Sequence, residues 1–158
     1  MNTPHGNSIT TAEHTIAMIM SLARQIPDAN VSTKNGKWEK SKFVGTEITG
    51  KKLGLIGCGN IGSIVVDRAK GLKMSVQVYD PFLTDDKSKE LGIEKVSFGK
   101  LLGSSDIISI HTPLTDSTRN IINSNNIYSI KKGAWIINCA RGGLIAVSYT
   151  HLRAHETR

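Results

Sequence analysis

Leu53-Gly54-Leu55-Ile56-Gly57-Cys58-Gly59-Asn60-Ile61-Gly62 joins an apolar run to a Gly-x-Gly-x-x-Gly turn. Ile61 to Leu72 then has helical spacing, and Ser75 to Tyr79 reads as a second strand. That setting of strand, glycine turn and helix gives a weak pattern its specificity. Gly57 permits a tight turn, Gly59 removes a side chain where a ligand phosphate must approach the backbone, and Gly62 lets the helix pack on the strand. A pyrophosphate would sit on the N-terminus of that helix, with the amides around Asn60 and Ile61 as donors. Alone, the triplet also suits an ordinary tight turn or another nucleotide-like ligand such as S-adenosylmethionine.

Asp80 closes the second strand, near the roughly 20-residue offset at which an acid bonds the ribose hydroxyls of NAD. Its carboxylate would repel a 2'-phosphate, and Pro81 and Phe82 follow it instead of an arginine, so NAD is favoured over NADP. An Asp capping a turn is the plainer reading of the same residue.

Outward from this core the pattern alternates. Strand Lys52 to Ile56 and its helix lead to strand Ser75 to Tyr79, a polar helix around Asp86 to Leu91 and a weak strand near Val96. A short helix around Phe98 to Leu102, strand Asp106 to His111, a short helix capped by Ser124 and strand Ala134 to Cys139 complete the run. Nearly continuous apolar strands alternating with helices predict an α/β fold, a Rossmann-type doubly wound parallel sheet. Upstream, a capping box at Thr10 and Glu13 opens a pattern of Ile16, Ile19, Met20 and Ala23 that Pro27 stops, which predicts one long, largely buried N-terminal helix. Residues 28–50 are polar and read as a surface connection.

With 158 residues, 39% of them hydrophobic, the chain can bury one core, and one domain is expected. The formal charge of +7 and the crowding of Lys34, Lys37, Lys40, Lys42, Lys51 and Lys52 raise the question of nucleic acid. Only Trp38 and Phe43 interleave with those lysines, so a solvated basic surface without a nucleic-acid partner is the expectation. Cys58 and Cys139 lack metal-ligand spacing, and neither a disulfide nor a metal is expected. Ile16 to Ala23 is broken by Ser21 and follows Glu13 and His14, unlike a signal peptide or a membrane span. A soluble, cytoplasmic protein with no membrane partner is expected.

Leu53 to Gly62 with Val76 to Asp80 resembles the D-isomer-specific 2-hydroxyacid dehydrogenases. Leu101 to Pro113, with Thr118 and Ile121 behind it, is similar to a second signature of that family, and Gly133 to Gly143 to a third. Ala23-Arg-Gln-Ile-Pro27, Gly36-Lys-Trp38, Phe43-x-Gly-Thr-Glu47 and Asn138-Cys-Ala-Arg141 look most like its phosphoglycerate dehydrogenase branch. The resemblance implies hydride transfer from 3-phosphoglycerate to NAD, as in serine biosynthesis, with a homo-oligomeric parent enzyme. It also implies that Asn60, Ile61, Asp80, Thr112, Cys139 and Arg141 contact the cofactor, with His111 and Pro113 shaping its pocket. Arg141 becomes the catalytic arginine, whose guanidinium would grip the substrate carboxylate and polarise the carbon that exchanges hydride. His111 carries no proton-transfer role in this reading, and His14 is structural.

The family's proton-transferring histidine and its glutamate come from segments well downstream of the Arg-Gly-Gly turn. The resemblance stops at Ile145, so residues 1–145 read as part of an NAD-binding domain and residues 146–158 as a tail foreign to the fold. Little or no turnover is expected of such a chain. Two alternatives stay open: a dehydrogenase for another 2-hydroxy acid such as glycerate, lactate or formate, and an NAD-sensing, corepressor-like binding module.

Overall fold

The computed structural model describes residues 6–146, so most of the expected foreign tail lies outside the described residues. Five parallel strands form one sheet, β1 Lys52–Ile56, β2 Ser75–Tyr79, β3 Glu94–Lys95, β4 Ile107–Ile110 and β5 Trp135–Asn138. Their order is β3-β2-β1-β4-β5, so the winding reverses between β1 and β4. That reversal makes the sheet doubly wound and opens a crevice beyond the strand ends.

Helices on both faces explain why the central strands are apolar throughout. One face carries α1 Ser8–Arg24, α3 Asn60–Gly71 and α4 Asp85–Leu91, packed over Leu53, Leu55, Val78 and Ile107. The other carries α5 Phe98–Ser104 and a 3-10 turn at Ile127–Ser129, packed over Ile56, Ile108 and Ile110. Successive β1 residues alternate between these two cores, as strand geometry requires. Ala12, Thr15, Ile19 and Ala23 recur at helical spacing on the buried face of α1, and the helix packs against α3.

Three local expectations are corrected. The first helix starts before Thr10, so Thr10 and Glu13 lie inside it, and its N-cap Asn7 makes no side-chain capping bond. Pro27 does not end that helix. The break is Gln25, left-handed at φ 54°, whose amide bonds back to Leu22 O at 3.2 Å. Pro27 instead stands in the first turn of a second helix, α2 Ile26–Lys34, where its missing N–H costs nothing. Part of the expected surface connection is thus helical. Lastly, Asn123 and Asn126 organise the Ile127 turn where Ser124 was expected to: Asn126 Oδ1 accepts from Asn123 N, and Asn123 Oδ1 from Asn125 N, each at 2.9 Å.

Candidate functional site

Sheet register assembles the candidate site. Ile56 pairs with Tyr79 on one side and with Ile110 on the other, and Ile110 pairs with Asn138. The next residue of each strand, Asp80, Gly57, His111 and Cys139, therefore stands in one row along the C-terminal edge. The row crosses the switch point, where open α/β sheets hold ligands.

The glycine turn answers its three expectations separately. Gly57 has φ +93°, and a Cβ there would meet His111 O at 2.8 Å and Thr112 Cγ2 at 2.9 Å. A Cβ on Gly62 would meet Gly57 O at 2.6 Å, the close approach of helix to turn. Around Gly59 nothing lies within 4 Å of a Cβ position, so the space above the turn is open. Gly59 is also the N-cap of α3 and puts no side-chain acceptor at the dipole-bearing end of that helix, a setting that suits a ligand anion.

Asp80 straps this turn to β2. Its Oδ2 accepts from Cys58 N and its Oδ1 from Phe82 N, both at 2.8 Å. The turn-capping and ribose-binding readings of Asp80 are compatible, because each carboxylate oxygen has a second lone pair. Burial, with the Asp80 carboxylate beside it, pushes the Cys58 thiol up to about 11, which leaves it unreactive near neutrality.

On β4, the His111 amide donates to Ile56 O at 2.8 Å, and its Nε2 lies 2.8 Å from Ser109 Oγ. Burial pushes the imidazole down to about 4, so it is neutral at physiological pH and has one nitrogen committed to Ser109. Thr112 is the informative neighbour. Its Oγ1 is buried with no partner among the described residues, while its methyl sits over Gly57. A buried hydroxyl left unpaired is costly, and a ligand group entering the crevice would satisfy it. Pro113 is exposed at the rim.

At the end of β5, Asn138 Oδ1 accepts from Ala140 N at 3.1 Å and its Nδ2 donates to Arg141 O at 2.8 Å. Asn138 was not singled out as a site residue in the sequence, although an Asn closing a strand before a Gly pair is a turn signal. Arg141 is exposed and extended, with Nη1 on Ala140 O at 2.9 Å. An open groove of about 420 Å³ runs between α1 and this strand end, and Arg141, Cys139 and His14 all line it. His14, assigned above to packing, thus shares a groove wall with Arg141. No group of acidic, His or Cys side chains that could hold a metal occurs among the described residues.

Comparison with known proteins agrees with this architecture. The family model described as D-isomer specific 2-hydroxyacid dehydrogenase, NAD binding domain, matches residues 16–148. A D-3-phosphoglycerate dehydrogenase of Bacillus subtilis is 50% identical over 145 residues, covering 92% of this chain and 28% of that protein. The solved pyruvate reductase of Chlamydomonas reinhardtii matches 94% of this chain and 44% of its own, with a TM-score of 0.89 at 36% identity. An NAD-dependent formate dehydrogenase from Staphylococcus aureus, in complex with NAD, matches 91% of this chain and 43% of its own, with a TM-score of 0.83 at 30% identity. The chain spans about three-tenths of the length of the curated relatives it matches.

Proposed function

This chain belongs to the D-isomer specific 2-hydroxyacid dehydrogenases through their NAD-binding domain, and on that footing we propose that its crevice holds NAD for oxidation of 3-phosphoglycerate to 3-phosphohydroxypyruvate. The observation that carries the cofactor assignment is the row of Gly57, Asp80 and His111, with open space over Gly59 and the orphaned Thr112 hydroxyl beside it. NAD, when bound, supplies the acceptor for the hydride that leaves C2 of the substrate.

The residues of this chain divide the work of binding and positioning, while the hydroxyl proton released with the hydride goes to the histidine that the family resemblance places downstream of the Arg-Gly-Gly turn. Gly57, Gly59 and Gly62 clear the approach to the first turn of α3, where Asn60 and Ile61 present backbone toward the pyrophosphate. Asp80 accepts from the adenosine ribose, and its charge turns away a 2'-phosphate. Thr112 and Cys139, with Pro113 at the rim, flank the nicotinamide end. His111, held neutral and bonded to Ser109, braces the pocket wall and takes no proton. Arg141 leaves Ala140 O to form a two-pronged bond to the substrate carboxylate, fixing C2 for transfer. Phosphoglycerate is preferred over other 2-hydroxy acids because the Bacillus subtilis relative, at 50% identity, is a phosphoglycerate dehydrogenase, whereas the lactate and formate dehydrogenases matched in structure are 25–34% identical.

The parent enzyme is proposed to be a cytoplasmic homo-oligomer; among the described residues no helix is long and apolar enough to cross a membrane. The test is calorimetric titration of the chain with NAD and NADP, beside Asp80→Asn, which keeps the acceptor for Cys58 N and removes the charge. Saturable NAD binding, at least ~10-fold tighter than NADP and losing that preference in the variant, is expected. Equal binding of both cofactors by the unmodified chain would refute the assignment of Asp80.

A further inference from the structure

The opposite edge of the sheet carries a second hollow. At the N-terminal ends of β1, β4 and β5 an open cavity of about 250 Å³ is bounded by Thr46, Lys51, Asp106, Lys131, Lys132 and Trp135. The topology creates it, because all the strands are parallel and their starting residues come together. Lys51 immediately precedes β1 and Asp106 precedes β4. The chain enters β5 through a tight turn closed by Ala134 N on Lys131 O at 3.0 Å, with Gly133 at φ +80° and Lys132 at the corner.

The charges around this hollow do not cancel. Asp106 is committed within the protein: Lys131 Nζ donates to its Oδ1 at 2.7 Å and Lys52 N to its Oδ2 at 2.8 Å. Those two bonds, Lys131 first, hold the Asp106 carboxyl below the usual carboxylate range, so it is charged and already compensated. Lys51, half-buried, acts on the Asp106 carboxylate through its charge without forming an ion pair, and Lys132 on the turn has no ion-pair partner among the described residues. Three lysines and one carboxylate line the hollow, an excess of two positive charges, with the half-buried Trp135 as an apolar wall. An excess of two positive charges around one hollow matches a dianion. A carboxylate would neutralise only one of them, whereas phosphate answers both, and lysine serves phosphate well as a point charge.

We propose that this hollow is a binding site for a phosphate dianion, free or as a phosphomonoester, gripped by Lys51 and Lys132 while Lys131 keeps its bond to Asp106. It lies at the opposite ends of the strands from the Gly57 turn, so it is independent of the cofactor crevice, and both can be filled together.

The test is a series of 1H–15N NMR spectra of the full chain, titrated with inorganic phosphate and separately with glycerol 2-phosphate, at ionic strength held constant with chloride. Saturable shifts of the Lys132 and Gly133 amides and of the Trp135 indole are expected with inorganic phosphate. The same response to glycerol 2-phosphate would place esters among the ligands, and its absence would restrict the site to free phosphate. Lys51→Ala/Lys132→Ala should weaken binding about tenfold or more, as should the milder Lys132→Gln to a smaller degree, while Lys34→Ala/Lys37→Ala on α2 and its following turn leaves it unchanged. Shifts confined to the Gly57 turn, shifts that never saturate, or equal affinity in the Lys51/Lys132 variant with its spectrum otherwise preserved would overturn the proposal.

Discussion

Gly57 and Gly59 sit two residues apart and fail differently when given a side chain. Gly57→Ala would force a left-handed φ on an L-residue and drive its Cβ into His111 O, a backbone atom that cannot step aside. A stability loss of about 3 kcal/mol is expected in urea unfolding. Gly59→Ala meets nothing and keeps an ordinary φ of −75°, so it should cost only about 0.5–1 kcal/mol as a poorer N-cap. It should nevertheless weaken NAD binding about tenfold or more, because its methyl stands where the phosphate must approach. Equal unfolding midpoints for the two variants would contradict this division of roles. His111 gives a second residue-level expectation, in pH. Its folded value of about 4 lies below the ordinary imidazole value of 6.5, so the unfolded chain binds the extra proton between those limits. Stability should be full above about pH 6.5 and fall as pH drops toward 4, by on the order of 3 kcal/mol from this group. His111→Gln should flatten that slope in denaturant melts at stepped pH; an unchanged slope would assign it to other groups.

At the scale of elements, the junction of α1 and α2 carries an identifiable strain. Gln25 holds φ 54° between two helices, a conformation costing an ordinary residue about 1–2 kcal/mol. Gln25→Gly should therefore raise stability by about 1 kcal/mol after the added unfolded-state entropy is deducted, read as a shift of the urea midpoint. A lower midpoint would mean that the Gln25 side chain contributes more than its backbone loses. The same junction shows where sequence reading ran out. Pro27 is an ambiguous sign, since it closes one helix or opens the next, and the choice depends on whether the residue two before it turns left-handed. The polar α2, with Ser32 its one buried residue, offers too narrow an apolar stripe for periodicity to detect. The sheet was legible because β1, β4 and the helix after Gly59 are strongly patterned. Much of the crevice was legible too, since the glycines and Asp80 are bound to strand ends by motif spacing. Asn138 and the Thr112 hydroxyl were not read at that level, because the Asn138 bonds to the Arg141 turn and the isolation of the hydroxyl exist only after packing.

Across the whole molecule, two hydrophobic cores share one sheet, and a buried polar link fixes how α5 docks on its face. Gln77, 1% exposed on β2, donates from Nε2 to Ser104 Oγ and Ser105 Oγ at 2.8 Å each, and Ser105 Oγ donates to Leu101 O at 2.7 Å. Gly54 is the register partner of Gln77 on β1, and its missing side chain is what admits the network: a Cβ there would come to 2.1 Å from Ser105 Oγ and 2.9 Å from Leu101 Cγ. Gly54→Ala should push α5 outward, strand the Gln77 amide and destabilise the fold by roughly 3 kcal/mol. Ser105→Ala alone removes one hydrogen-bond partner while Gln77 keeps Ser104, at a cost of about 1 kcal/mol. Because Ser105 Oγ is the nearest obstacle, the double variant should be at least ~1 kcal/mol more stable than the sum of the single losses predicts. Leu101 Cγ, fully buried and 2.9 Å from the same Cβ, must still shift, so the double variant should stay below the unmodified protein. Strict additivity in the double-mutant cycle would mean that Gly54 serves backbone freedom and not the docking of α5, and the polar link would then have no part in setting the spacing between helix layer and sheet.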